Sequence, residues 1–172
     1  TPDGRLDFQE YFVARHHADA VHGIILDGIE SATPTPAALR AIAEAEAIVF
    51  CPSNPFVSIG PILALAGLRA ALDDAAAPVV VVSPIVGGEA LKGPAATMMQ
   101  GLGHEVSALG VARIYAGLAD GVVIDSVDRE LSDAIEALGM RVLITDTIMR
   151  NTNDREQLAR ETLAFAQSLT TT

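Results

Sequence analysis

Val79-Val80-Val81-Val82 and Val122-Val123-Ile124 are apolar without a break and without alternation. A strand with one face in water alternates apolar and polar residues; a strand covered on both faces does not. These runs therefore call for a sheet with a layer on each side. Predicted strands cover 21–27, 47–51, 78–83, 120–125 and 141–145. Predicted helices, Ala- and Leu-rich, cover 36–45, 59–73, 94–101, 107–118, 128–138 and 154–168. Thr35 is placed to cap a helix that Pro36 opens, and Asp128 and Gly139 bracket the 128–138 helix. The stretch 6–13 (LDFQEYFV) reads as a further strand, at an edge. Strand and helix alternate along the chain, so the expected fold class is α/β, a doubly wound, mainly parallel sheet with helices on both faces. Residues 1–172 form a single such unit, with the tail Thr170-Thr171-Thr172 expected to fray.

Half of the residues are hydrophobic, but aromatics make up only 4% and Trp is absent, so the core is expected to be aliphatic. The net charge is −11, which argues against nucleic acid as a partner because polyanion binding needs clustered cations. The single cysteine, Cys51, excludes an internal disulfide and fits a reducing, cytoplasmic setting. No apolar run approaches the ~20 residues of a membrane span. The chain opens Thr1-Pro2-Asp3-Gly4 without an initiator Met or a visible signal peptide, which reads as a processed chain or a piece of a longer one.

In parallel α/β sheets ligands sit beyond the carboxyl ends of the strands. Two loops there are unusual. The first, CPSNPFVSIGP (51–61), holds three prolines and a glycine. Pro52 and Pro55 fix φ, Ser53 and Asn54 offer a hydroxyl and an amide, and Ser58 is placed to cap a helix beginning near Ile59. A helix start fronted by short polar side chains suits an anion, although a rigid, well-capped loop accounts for the same residues. The second, SPIVGGEALKGP (83–94), carries Gly87-Gly88, which permits positive φ and close approach of a ligand. Lys92 is the only lysine among eleven basic side chains, and it stands beside Gly93-Pro94 at a helix entrance. Lysine is a compact point charge for phosphate, whereas arginine is a broad fork; a solvated surface lysine is the alternative. If strands 47–51 and 78–83 are neighbours, the two loops share one cleft and make a diphosphate clamp. No Walker loop and no G-x-G-x-x-G fingerprint is present.

Asp125 and Asp146, at strand ends, are candidates for Mg²⁺ or, more simply, for helix capping. Thr145 and Thr147 lie beside them. His16 and His17 are adjacent and do not face one way, while His22 and His104 are isolated, so no histidine metal site is expected. Cys51 ends a buried strand and is expected to be structural. No Ser-His-Asp order has supporting context.

Five ordered motifs carry a likeness: FQEYFV (8–13), PSNPFVSIGPIL (52–63), SPIVGGEALKGPA (83–95), SALGVARIY (107–115) and DTIM (146–149). Together they resemble the 2-phospho-L-lactate transferase family, which makes the phosphodiester of the deazaflavin coenzyme F-420. The Ala- and Arg-rich composition is similar to that of actinobacterial members. The resemblance implies a Rossmann-like fold, a homodimer and a Mg²⁺-dependent phosphodiester-forming transfer. The donor it implies is a guanosine-diphospho compound carrying phospholactate or phosphoenolpyruvate, the acceptor is Fo, a deazariboflavin alcohol, and GMP leaves. On the matching positions, Ser53, Asn54, Pro55 and Ser58 would hold the diphosphate. Gly87, Gly88 and Gly93 would let the chain approach it, and Lys92 with Asn54 would act on the transferred group. Gln9, Glu10 and Tyr11 match a family motif without an assigned role.

The family's members are about twice this length and begin with a glycine-rich strand–loop–helix that this sequence lacks. The chain is therefore expected to be the C-terminal half of a longer transferase domain, with much of the acceptor pocket in the other half. A neighbouring, non-catalytic branch binds nucleotide sugars and regulates metabolism, but carries Gly-Ser-Leu-Tyr-Thr-Ser-Ile where this chain has Ser53-Asn54-Pro55-Phe56-Val57-Ser58-Ile59. The Ser-Asn-Pro version favours the transferase. A third reading is a domain whose loops only support packing.

Overall fold

The computed structural model describes residues 1–170. Thr171 and Thr172 of the predicted frayed tail lie outside the described residues, while Thr170 caps the last helix.

The elements run in the predicted alternation. Helix α1 (Pro36–Ala43) begins at Thr35, whose side chain accepts from the Ala38 N–H as its N-cap. Strand β1 (Ile48–Phe50) follows. A π-helical turn, Pro55–Ile59, then runs into α2 (Gly60–Leu63), and α3 (Leu68–Asp73) leads to β2 (Val79–Val82). A two-stranded hairpin, β3 (Ile85–Val86) and β4 (Glu89–Ala90), precedes α4 (Ala95–Gly101) and α5 (Ala108–Ile114). Strand β5 (Gly121–Asp125), a 3₁₀ segment (Ser126–Leu131), α6 (Ser132–Glu136), β6 (Arg141–Thr145) and α7 (Thr152–Leu169) complete the unit.

The main sheet has the order β1-β2-β5-β6, and every pair is parallel, with Val80 opposite Gly121 and Val122 opposite Val142. This is the expected α/β, Rossmann-like arrangement. The strands are laid down in one direction, and right-handed crossovers then put every connecting helix on one face. The packing follows. Val79, Val81, Val122 and Ile124 meet Leu72, Met99, Val111 and Ile135 from α3 to α6, whereas Val80, Val82 and Val123 meet Leu158 and Ala166 of α7. The unbroken valine runs are thus buried on both sides, as their lack of alternation requires. No helix among the described residues is long and apolar enough to cross a membrane.

Several expectations need correction. Residues 21–27 form no strand; their backbone has no ladder partner, and Val21 packs on Met98 of α4. An added Cβ at Gly101 would stand 2.5 Å from the Val21 carbonyl oxygen, so glycine lets this segment lie on the helix. Strand 6–13 is absent as well. Glu10–Ala14 is a π-helical turn, and Phe8 and Phe12 stack with centroids 5.6 Å apart, as helical neighbours four residues apart do. The predicted 59–73 helix is broken at Gly67, which has φ +81° and starts α3. The 128–138 helix starts earlier, on a 3₁₀ segment that Asp125 rather than Asp128 caps, and Gly139 closes it with φ +90°.

Candidate functional site

Strands β1 and β2 are hydrogen-bonded neighbours, so the loops after them leave the same edge of the sheet side by side. The first is organised by Asn54. Its side-chain oxygen accepts from the Phe56 N–H at 2.9 Å and the Val57 N–H at 3.2 Å, and its amide donates to Met98 Sδ of α4 at 3.3 Å. Asn54, not Ser58, is therefore the N-cap, with Pro55 buried in the first helical position. The π-turn has a local cause: Gly60 donates to Pro55 O, and a Cβ at residue 60 would sit 2.9 Å from that oxygen. Ser58 is exposed on this turn and Ser53 is half-buried before it.

The second loop differs more from its prediction. Gly87 and Gly88 form the hairpin turn between β3 and β4, with φ of +58° and +79°, as a two-residue turn with both centres left-handed requires. The Gly87 N–H is already taken. It donates to both carboxylate oxygens of Asp128, at 3.1 and 3.0 Å. The glycines thus form the turn, and the Asp128 carboxylate holds the Gly87 amide. Asp128 is buried, and burial pushes its pKa up, against the lowering effect of the Gly87 hydrogen bond. Protonation of Asp128 therefore favours the fold: that contribution is complete below the unfolded carboxyl range and is lost as pH rises through the raised value. Glu105, held low first by the Ser107 hydrogen bond, and Asp146, held low first by Arg150, have the opposite sign.

Lys92 is exposed and, among the described residues, pairs with no carboxylate. Gly93 follows with φ +72°, and Pro94 leads into α4. Asn54 contacts the fourth residue of that same helix. Chain geometry then keeps the Lys92 backbone within roughly 15 Å of Met98. The Phe56 ring also lies 5.2 Å from that of His104, beyond the end of α4. The two loops are thus joined through α4. Ser53, Asn54 and Ser58 lie on the first loop, Lys92 and Gly93 on the segment that enters α4, and Gly87 and Gly88 at the hairpin turn before it.

The strand-end acids are structural. Asp125 is 4% exposed and accepts from the Val127 N–H, the Thr147 N–H and the Thr147 hydroxyl. Asp146 accepts from the Ile148 N–H and from Arg150. Thr145 donates to Glu161. Among the described residues, no three His, Cys, Asp or Glu side chains are grouped to hold a metal ion. The carboxylate oxygens of Asp125 and Asp146 each accept at least one hydrogen bond within the chain. Cys51 is exposed just past β1, not buried at a strand end.

Among the described residues, cavities lie both away from this junction and beside it. One, of about 580 Å³, opens at the amino ends of the strands beside Ala77, Asp120 and Arg141. The other, of about 830 Å³, is a half-open cavity lined by the N-terminal segment together with Val57, Pro61 and Met98. The second was not legible in the sequence, because the segment that walls it was read as two strands.

A family model described as "2-phospho-L-lactate transferase CofD" matches residues 1–163. The chain is 42% identical over 163 residues to a phosphoenolpyruvate transferase of Kitasatospora aureofaciens, covering 94% of this chain and 51% of that protein. It is 39% identical over 170 residues to a 2-phospho-L-lactate transferase of Methanocaldococcus jannaschii, covering 97% and 53%. A 2-phospho-L-lactate transferase of Methanothermobacter thermautotrophicus is 39% identical over 160 residues, covering 93% and 51%. The chain spans about half the length of the curated relatives it matches.

Proposed function

The chain belongs to the 2-phospho-L-lactate transferase CofD family, and from that premise we propose that it is the C-terminal half of a transferase acting in coenzyme F-420 biosynthesis. The donor is a guanosine-diphospho compound bearing phosphoenolpyruvate or phospholactate. The acceptor is the terminal hydroxyl of Fo. The new P–O bond forms from that hydroxyl to the phosphorus bearing the three-carbon acid, the P–O–P bridge breaks, GMP leaves with the bridging oxygen, and the hydroxyl proton passes to solvent. Catalysis of such a step is mainly positioning and charge neutralisation.

The observation that carries this reading is the pair of loops at the carboxyl ends of adjacent strands, joined by the Asn54–Met98 contact. Ser53, Asn54 and Ser58 bind the diphosphate on one side. On the other, Lys92, with no carboxylate partner among the described residues, offsets its charge in a molecule of net charge −11. Gly93 lets the lysine approach. The proposal includes a Mg²⁺ requirement, a homodimer and a cytoplasmic setting; no step is routed through the metal.

Calorimetric titration with GDP tests the reading. The chain is expected to bind GDP, and Lys92→Ala, at an exposed position, is expected to weaken binding about tenfold without a change in thermal midpoint, as loss of a charge-assisted phosphate contact does. Asn54→Ala is expected to do the same and also to lower stability by about 1 kcal/mol through the lost cap. Co-expression with the N-terminal half of a relative is expected to give transfer to Fo. Absence of GDP binding in both forms overturns the assignment. A preference for uridine nucleotides without transfer supports the regulatory reading.

A further inference from the structure

Lys92 stands on a short segment, residues 91–94, strung between the β3–β4 hairpin and α4. Helix α4 is a firm anchor, because its Met98 and Met99 are fully buried. The hairpin is the weaker one. Its ladder joins Ile85 to Ala90 and Val86 to Glu89, and a hairpin that short is not stable by itself. It is held at base, middle and tip. At the base, the Ser83 hydroxyl donates to the Ile85 carbonyl at 2.9 Å and accepts from the Ile85 N–H at 3.1 Å. In the middle, Ile85 is fully buried in the larger core. At the tip, the Gly87 N–H donates to both carboxylate oxygens of Asp128, which ties the hairpin to the segment after β5. The tip also lies close against that segment: a Cβ at Gly87 would stand 3.8 Å from Val127 Cγ2.

An acid is a costly way to hold a turn here. Burial raises the Asp128 pKa, and the like charges of Asp125 and Glu130 add to that against the lowering effect of the Gly87 hydrogen bond. A neutral acceptor would hold one N–H without a buried charge, so fold stability alone does not account for Asp128. What the grip does fix is the path of the chain. Ala90 lies opposite Ile85, so the chain comes back alongside the exit of β2 and reaches Lys92 two residues later. We infer that Asp128 is a positioning residue: by gripping the Gly87 amide it fixes the β3–β4 hairpin, and through the hairpin it holds Lys92 beside the exit of β2. Asp128 acts on a ligand only through the lysine. That the lysine meets a phosphate rests on the function proposed above; the hold on the 91–94 segment does not.

Two measurements on the 172-residue chain test this. The first needs no nucleotide. In ¹⁵N relaxation, the steady-state heteronuclear NOE at Leu91, Lys92 and Gly93 is expected to fall in Asp128→Ala while that of α4 stays unchanged. The second is calorimetric titration with GDP of Asp128→Ala, Lys92→Ala and the combined variant. Asp128→Ala is expected to weaken binding about threefold, less than Lys92→Ala does, because it can forfeit no more than the lysine contributes. In the Lys92→Ala background it is expected to weaken binding no further. Asp128→Asn keeps one acceptor oxygen and is expected to fall between the parent chain and Asp128→Ala; it carries both measurements if the alanine variant does not fold. Either of two results overturns the inference: unaltered order at residues 91–93, or an equal loss of GDP affinity with and without Lys92, which makes Asp128 a general support of the fold. GDP binding with unaltered order rejects the positioning role alone. Loosening of residues 91–93 in a chain that does not bind GDP rejects the phosphate reading and leaves the hold on Lys92 standing.

Discussion

Gly110→Ala is expected to destabilise the fold by about 3 kcal/mol or more, near the upper end for single substitutions. A Cβ at this position would lie 1.9 Å from the Glu105 carbonyl oxygen, 2.9 Å from its carbonyl carbon and 3.0 Å from Met99 Cε. The first two are backbone atoms and cannot rotate away. Gly110 also donates to Ser107 Oγ, the N-cap of α5, so relief of the clash breaks the cap as well. Helix α5 sits centrally in the larger core, with Ala108, Val111 and Ala112 fully buried, so the start of this helix has no room to move outward. Gly103→Ala makes a useful contrast. It has φ +80° but open space around it, and only the left-handed backbone penalty of about 1–2 kcal/mol is expected. Urea unfolding midpoints, at unchanged m, distinguish the two.

Asp125→Ala is expected to cost about 3 kcal/mol. The carboxylate closes three hydrogen bonds at the end of β5: to the Val127 N–H at 3.1 Å, the Thr147 N–H at 2.8 Å and the Thr147 hydroxyl at 3.0 Å. The site is buried on both partners, Asp125 and Thr147 each being close to inaccessible. Alanine leaves those donors without an acceptor, and each buried orphan costs about 1–3 kcal/mol before relaxation. Asparagine is expected to recover little. One of its two head atoms must be an NH₂, and either choice sets that donor against an N–H. Equal stability of Asp125→Asn and wild type, measured by urea unfolding, contradicts this account.

The valine runs made the sheet legible. Strand 141–145 was read to its end residues, and 78–83 and 120–125 to within one residue. An unalternating apolar run of four or five residues has few places to go other than between two layers. The same reasoning misled at 21–27, because an apolar extended run does not say whether a neighbouring strand exists to bond it. The side of α4 received Val21 instead. At the candidate site, sequence placed both loops correctly after neighbouring strands but exchanged two roles. Ser58 and Asn54 are both good caps, and only the i→i+5 turn produced at Gly60 decides that Asn54 is the one. Gly87-Gly88 was read as freedom for a ligand, but a two-residue hairpin needs the same freedom. Nothing local to residues 83–94 could signal that Asp128, forty-one residues from Gly87, holds the amide.

The central claim is that the loops after β1 and β2 form one phosphate site and not two independent surfaces. A double-mutant cycle on GDP affinity tests it, with Asn54→Ala, Lys92→Ala and the combined variant. A shared diphosphate predicts coupling, the double loss departing from the sum of the single losses by about 0.5 kcal/mol or more. Strict additivity, or two single variants that bind GDP as the parent chain does, contradicts it.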